Sequence, residues 1–316
     1  MAQTFDPNHT LVSTSLTGKV PTAQGQEILQ EVIQNSVIMQ LGKYEEMKGV
    51  DGKPVMEKTF PYLAEGAGAY WVGETEKIKT ATAKWLSVKM VAKKLGVIIP
   101  VSKEFLNFTV SDFFEQIKPK IAEAFYKKFD EAGILNKNNP FPQSIEGAIT
   151  ETGNVVKDDL NYDNILEVLD LVYDGDIEPN AFISKAQNRT LLRAATTVEN
   201  GIAREMYDNV AGTIDGLPAV NLKSAEMEKG TLYAGNFDHL YYGIPQIIEY
   251  DISKEAQLST ITNEDGSEVN LFEQDMIALK ATMYVALMVV KDEAFAKLEP
   301  KEAEGETGPE DPTPNP

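Results

Sequence analysis

Ala69-Tyr-Trp-Val-Gly-Glu74, followed about twenty residues later by Lys94-Leu-Gly-Val-Ile-Ile-Pro-Val-Ser-Lys-Glu-Phe-Leu106, is the pair of segments that decides the fold. Between them, Glu76 to Met90 interleaves polar and apolar side chains. Alternation with period two marks a half-covered strand, and the β-branched run Val97 to Val101 marks a strand returning to a core. The two segments therefore predict the arms of one long β-hairpin. Ser102 stands where the N-cap of a following helix is expected. Trp71 and Trp85 are the only tryptophans of the chain and both lie in this arm. A lone hairpin cannot bury two indoles, so the subunit's own domain or a partner surface must cover them.

Charge singles out the same arm. Lys53 to Pro100 holds eight Lys, four Glu and no Asp, a local charge of +4 in a chain whose net charge is -20. The lysines either keep the hairpin soluble and protect its edges, or complement an acidic neighbouring subunit. On the second reading Trp71, Glu74, Lys77, Lys79, Lys84 and Trp85 are contact residues. The only arginines, Arg189, Arg193 and Arg204, share one short segment with Glu199, Glu205 and Asp208. They make surface ion pairs or contacts between subunits, a role that suits the planar guanidinium.

Composition excludes several functions. The 316 residues suffice for one large or two modest domains. With 29 basic against 49 acidic residues, nucleic-acid binding is not expected as the primary task, because duplex affinity rests on cationic contacts to phosphates. The absence of Cys removes disulfides, thiol catalysis and thiolate metal sites. His9 and His239 are too far apart in sequence to suggest zinc. Asn263-Glu-Asp-Gly-Ser-Glu268 lacks the alternating acidic ligands of a calcium loop and reads as a hairpin turn. Gly18-Lys-Val20 and Gly52-Lys-Pro54 lack the surroundings of a phosphate loop, and no spacing picks out a general acid/base pair. No catalytic residue, cofactor or metal is expected, and the chain does not read as an enzyme. The first residues have neither the basic start nor the apolar run of a signal peptide. Met276 to Val290 carries Lys280 and is too short to span a bilayer, so a soluble, cytoplasm-made protein without a membrane partner is expected.

Along the chain, residues 1–25 read as an arm and Gln26 to Leu41 as a helix. Gly49 to Pro54 reads as a turn. A helix of about 30 Å is predicted over 111–132, with Phe114, Ile117, Ile121, Ala124, Phe125 and Phe129 on its apolar face and Lys127, Lys128 and Asp130 mostly elsewhere. Pro119 should kink it and Gly133 should stop it. Helices follow at Tyr162 to Tyr173 and Lys185 to Ala195. Strands are predicted at Ala181 to Ser184, Gly216 to Val220, Leu240 to Pro245 and Met276 to Val290. From Glu299 onward the composition is that of a disordered acidic tail. Long helices mixed with meandering strands indicate an α+β fold.

The order of pieces in the hairpin (Trp71-Val-Gly-Glu74, a lysine-rich arm, then Lys94 to Leu106) resembles the extended loop of tailed-phage major capsid proteins of the Hong Kong 97 fold. Three further segments are similar to that family and run in its order. Val101 to Phe108, with Ile121-Ala-Glu-Ala-Phe125 and Phe129-Asp-Glu-Ala132, is similar to its spine-helix region. Leu217-Pro-Ala-Val220 and Ala234-Gly-Asn-Phe-Asp-His-Leu-Tyr-Tyr-Gly243 resemble strands that close its axial domain. Gln274-Asp-Met-Ile-Ala-Leu279 and Glu293-Ala-Phe295 are similar to the end of its peripheral domain. The resemblance covers roughly residues 26 to 298, and its wording is closest to siphophages of Gram-positive hosts.

The resemblance implies an N-terminal arm and short helix (1–48), an extended loop lying across a neighbouring subunit (49–100), a peripheral domain with a spine helix (101–160 and 274–298), an axial domain (161–273) and a tail (299–316). It implies hexamers and pentamers in an icosahedral shell around double-stranded DNA that is enclosed without sequence-specific binding. A portal protein and a separate scaffolding protein are the implied partners, since the stretch before the first helix has room for a short cleavable peptide but not a fused scaffold. Assembly in the host bacterial cytoplasm and a final place in the virion follow from the same resemblance. The founding member joins a loop Lys to an Asn near a Glu. Those last two positions correspond here to Asp275 and Thr282, which lack the carboxamide and the carboxylate, so a non-covalent shell is implied. An encapsulin-type compartment of the same fold is the alternative reading, and an α+β hydrolase a remote one.

Overall fold

The computed structural model describes residues 3–4, 36–49, 51–65, 84–103, 110–199, 202–263 and 266–301. In chain order the first elements are β1 (Gln3–Thr4), α1 (Val37–Leu41), β2 (Lys43–Tyr44), β3 (Glu57–Glu65), β4 (Lys84–Ser102), α2 (Val110–Gly133), α3 (Ile145–Thr152), β5 (Val155–Lys157) and α4 (Tyr162–Tyr173). Next come β6 (Ala181–Ser184), α5 (Arg189–Ala194), β7 (Thr196–Glu199), β8 (Ile202–Glu205), β9 (Tyr207–Asp208), β10 (Thr213–Ile214) and β11 (Leu217–Asn221). The last are β12 (Leu232–Gly235), β13 (Leu240–Ser253), β14 (Gln257–Thr262), β15 (Glu268–Asn270), β16 (Met276–Val289) and β17 (Phe295–Glu299). They fall into two compact units, Met1–Glu151 with Asn236–Asp292, and Thr152–Gly235 with Glu293–Pro316.

The first unit is organised by β16. Its sheet runs β2-β13-β16-β4-β3, antiparallel except where β2 meets β13. Every residue of β16 is buried apart from the partly covered Lys280 and Tyr284. A strand covered on both faces has no reason to alternate, and this one reads as a continuous apolar run. β4 is covered mainly on one face, and Ile98 within its β-branched run stays 47% exposed. In a smaller sheet, β1-β14-β15, the Gly266 N–H donates to Asn263 C=O, and residues 264–265 of the expected turn lie outside the described residues.

α2 buries Ile121, Ala122, Phe125, Tyr126, Phe129 and Ala132, at helical spacing. Two details of the expected face are corrected: Ala124 is exposed, and Asp130 is only 2% exposed. The Asp130 carboxylate accepts the Ser36 hydroxyl at 2.7 Å and the N–H groups of Val37 and Ile38 at 2.9 and 3.2 Å. Those N–H groups open α1, where no intrahelical acceptor exists, so a buried carboxylate is tolerated because three donors converge on it. Burial pushes the carboxyl up to about 7 while Ser36, Val37 and Ile38 pull it down. α2 runs unbroken through Pro119. It ends at Gly133, where only glycine fits: a Cβ there would lie 2.5 Å from Ile38 Cδ1 and 2.9 Å from Leu287 Cδ2. Of the helix expected over 26–41, Val37 to Leu41 is observed, and 26–35 lie outside the described residues.

The second unit holds a seven-stranded sheet, β5-β17-β12-β6-β11-β10-β9. α4 packs Ile165, Val168, Leu169 and Val172 into its core and is capped by Asn161, whose side chain accepts the Asn164 N–H at 2.8 Å. α4 and β6 coincide with the sequence expectation. The helix expected from Lys185 is a 3-10 turn, Ala186–Asn188, that continues into α5. Buried Asn188 accounts for that change, because its side chain donates to Thr231 C=O and Ser184 Oγ and accepts the Gly230 N–H. β7 and β8 form a separate hairpin.

The expected 161–273 block is not one unit. β13 extends well past Pro245 to Ser253 and pairs with β16, which draws Asn236–Asp292 into the first unit. β17, expected with that unit, instead pairs with β12 and β5 in the second. Strand partners distant in sequence leave no local mark, so composition could not locate these boundaries. Residues 302–316 of the expected tail lie outside the described residues, and Glu299 is not part of a tail. That residue ends β17, pairs with Lys157 and Lys297 at 3.0 and 2.6 Å, and its carboxyl is lowered by those lysines against the opposing effect of burial.

Candidate assembly interface

The long hairpin predicts a surface for another molecule, and its geometry follows from strand lengths. β4 has 19 residues, roughly 60 Å at about 3.3 Å per residue. β16 accompanies it only from Val91 to Ser102, whereas β3 pairs with it from Lys84 to Val91. Among the described residues, 84–90 therefore run with β3 as their only strand partner, as a two-stranded ribbon that outruns the sheet. A ribbon of two strands has little of its own to bury against and is marginal in water without further cover.

Its root is firmly set. Met47, Met90, Ala92, Ala286 and Met288 form a buried cluster, with Phe60 and Val88 packed on it. Gly243 permits that packing, since a Cβ there would lie 2.6 Å from Met47 Cγ and 3.0 Å from Glu45 C=O. Pro61 sits on β3, the edge strand, where a missing N–H is least costly. The lysines at the root have partners within the subunit: Lys58 with Glu45 and Lys89 with Glu57, each at 2.6 Å, and Lys53 with Asp51 at 3.8 Å. Such surface pairs contribute little to stability. Glu45 and Asp51 lie outside the 53–100 count, so their pairs with Lys58 and Lys53 offset part of the arm's cationic excess.

Of the nine sequence-predicted contact residues, Trp71, Glu74, Lys77 and Lys79 lie outside the described residues. Lys84 and Trp85 open β4 at the far end of the ribbon, opposite Glu65 and Leu63. Arg189 and Arg193 are exposed four residues apart on α5, and Arg204 is exposed on β8 opposite Thr197. The five described ones are thus divided between the two units. Asp208, read as an ion-pair partner, has its carboxylate on the backbone N–H groups of Ala211 and Val210, which hold it below the usual range.

Sequence reasoning missed three large apolar side chains held out to solvent: Val198, Val210 and Phe272, which are 71, 98 and 70% exposed. Val210 crowns the turn fixed by Asp208, and Phe272 sits on a turn where its N–H donates to Asn270 Oδ1 at 3.1 Å. An apolar side chain on an internally bonded turn is a pre-ordered contact point. The Asp-Asn-Val-Ala-Gly composition signals a turn, yet nothing in it says that the valine points outward. At the two positions tied to cross-linking, the Asp275 carboxylate is paired with Lys103, and Thr282 is 8% exposed within β16, opposite Gly96 and Glu249.

The phage capsid family model matches residues 18–299. The chain is 53% identical over 308 residues to the major capsid protein of Staphylococcus phage 80alpha, covering 97% of this chain and 93% of that one. It is 22% identical over 298 residues to the probable major capsid protein of Mycobacterium phage L5, covering 89% of each. A solved chain from Microbacterium phage Oxtober96 superposes with a TM-score of 0.69 at 21% identity, covering 84% of this chain and 91% of that one. One from Mycobacterium phage Adephagia gives 0.69 at 19% identity, covering 85% and 91%. The α+β architecture is therefore that of the Hong Kong 97-type capsid fold. By family model, by sequence relatives and by fold, the chain belongs to the phage capsid family.

Proposed function

We propose that this chain is the major head subunit of a tailed phage, assembling as hexamers and pentamers into the icosahedral shell of the virion. The geometric observation that carries the reading is the β3–β4 ribbon, which outruns its sheet and needs a second surface. In a shell that surface is a neighbouring subunit, and many modest contacts sum because each subunit is held from several sides. On this reading the first unit contains the spine helix, α2, and the peripheral domain, and the second contains the axial domain. Family and relatives alike point to a phage shell in preference to an encapsulin compartment or a hydrolase.

The finer features are part of the same proposal. The shell is held without covalent cross-links, because Asp275 offers a carboxylate already paired with Lys103 where a carboxamide would be needed. An acidic subunit encloses double-stranded DNA without gripping it, since strong binding would oppose packaging. A separate scaffolding protein and a portal act as partners, and assembly takes place in the host cytoplasm. Negative-stain microscopy of the chain produced alone and with its scaffolding protein tests the reading. Closed shells with the scaffold are expected; monomers under both conditions would overturn it.

A further inference from the structure

Two features of the first unit match in chemistry yet lie toward opposite ends of its central strand. One is the turn at 271–275, between β15 and β16. Leu271 is fully buried among Leu258, Val269, Met276 and Ala278, while Phe272 beside it is 70% exposed and Glu273 is exposed. The turn is internally tied. The Gln274 N–H donates to Asn270 C=O at 3.1 Å, the Met276 N–H to Leu271 C=O at 2.8 Å, and the Gln274 side-chain amide to Asn263 Oδ1 at 2.7 Å. At its end the Lys103 N–H donates to Asp275 C=O at 2.9 Å, and the Lys103 ammonium pairs with the Asp275 carboxylate. An aromatic ring held out to water on so fixed a turn loses little entropy when a partner covers it.

The other feature is a cleft of about 100 Å³ between β4, the C-terminal half of α2 and the 134–141 turn. Leu95, Phe129, Phe141 and Val285 give it an apolar floor. Val285 is the cross-strand partner of Lys93, so the two share a face and Lys93 stands at the rim; Lys137 joins the rim from the turn. Lys128, also at the rim, is neutralised by Glu131 at 2.7 Å. Among the described residues, no carboxylate pairs with Lys93 or Lys137. Phe141 meets Phe129 edge-on with centroids 5.9 Å apart, and its N–H donates to the Asn139 side chain at 2.8 Å, so the floor is built before anything arrives. A closed cavity of about 150 Å³ holds a whole benzene ring, so this open cleft is of a size for the edge of one aromatic side chain.

Knob and hole cannot meet within one copy. The β16 stretch from Met276, which closes the turn, to Val285, in the cleft, separates them by roughly 30 Å at about 3.3 Å per residue. We infer that, resting on the reading of the chain as a shell subunit, the 271–275 turn of one copy seats Phe272 in this cleft of a neighbouring copy. The ring meets the apolar floor, and Glu273 beside it meets Lys93 and Lys137. An aromatic seated in a pocket with a charged rim is the kind of anchor that dominates an interface. Each copy offers both a knob and a hole, so the contact is heterologous and propagates into closed rings.

Phe272 replaced by the photoreactive p-benzoylphenylalanine, in shells assembled from a mixture of nitrogen-14 and nitrogen-15 chains, tests the contact by mass spectrometry. Links should fall on residues 93–95 and 137–141 and should join light chains to heavy ones. Shells whose links fall elsewhere, or only within one copy, would overturn the contact and leave the shell reading standing. A native chain that stays monomeric even with its scaffolding protein would overturn both. A charge exchange gives the second measurement. Glu273→Lys alone, and Lys93→Glu with Lys137→Glu, should each raise about ten-fold or more the subunit concentration at which shells appear. Combining the three changes should bring that concentration back toward the native value, a rescue that damage to the fold would not produce. Folded variants that show no rescue would refute the contact. If a variant fails to fold, the photo-link, made on an unaltered cleft, still decides.

Discussion

Replacing Asp130 by Asn should separate packing from charge at the junction of α1 and α2. The carboxylate accepts three hydrogen bonds, Oδ1 from Ser36 Oγ and Ile38 N and Oδ2 from Val37 N. A carboxamide has one acceptor oxygen, so its NH2 must face at least one of these donors. Leaving a buried donor without an acceptor costs about 1–3 kcal/mol, and Asp130→Ala, which strands all three, about 3 kcal/mol or more. For a chain of 316 residues that is about 4–5 °C in thermal midpoint for the Ala variant, and less for Asn. The pH dependence adds a signature. The folded carboxyl, pushed up to about 7 from 3.8, binds its proton more tightly than in the unfolded chain. This linkage therefore favours the folded state fully below the unfolded value, and the advantage is lost as pH rises through about 7. Chemical denaturation of both proteins between pH 4 and 8 measures the difference, with the chain's other carboxylates cancelling in the subtraction. The advantage of the native chain over Asp130→Asn should shrink across that window. A difference that grows with pH, or an Ala variant as stable as the native chain, would refute the reasoning.

Gly243→Ala places a methyl 2.6 Å from Met47 Cγ and should cost about 1–3 kcal/mol by overpacking, read by thermal unfolding; an unchanged midpoint would show that the root of the ribbon is not close-packed. The triple reversal Lys77→Glu, Lys79→Glu, Lys84→Glu should leave a folded monomer by circular dichroism yet suppress shells in sedimentation, and normal shells would count against a charge-matched neighbour. Assembled shells boiled in denaturant should run as a single monomer band on a gel. A ladder of higher bands would show cross-linking chemistry that Asp275 and Thr282 do not supply.

What the sequence revealed depended on the range of the forces involved. α4 and β6 were legible to the residue because helical periodicity, an Asn cap and an apolar run are local signals. β16 was legible because burial on both faces writes itself as composition. The pairing of β13 with β16 was not, since no residue of Leu240–Ser253 records its partner, and the boundary near Asn236 was lost with it. Asp130 was misplaced for a related reason: a carboxylate next to Phe129 belongs on the polar face unless its distant donors, Ser36 to Ile38, are known. For the candidate interface, the pairing of β3 with β4 could be read directly, and the contact role of Lys84 and Trp85 is a proposal. The exposure of Val210 and Phe272 depends on turn geometry that composition only hints at. The pairing of Lys58 with Glu45, which lies outside residues 53–100, shows why a local charge count overstates the free charge of an arm.

The central claim is that the β3–β4 ribbon is completed by another subunit. A cryo-electron microscopy map of shells formed by this chain tests it most directly. The account predicts that the end of the ribbon, Tyr62 to Glu65 with Lys84 to Ser87, is covered by a neighbouring copy. A map in which that end folds against its own subunit, or stands free in solvent in every copy, would contradict it.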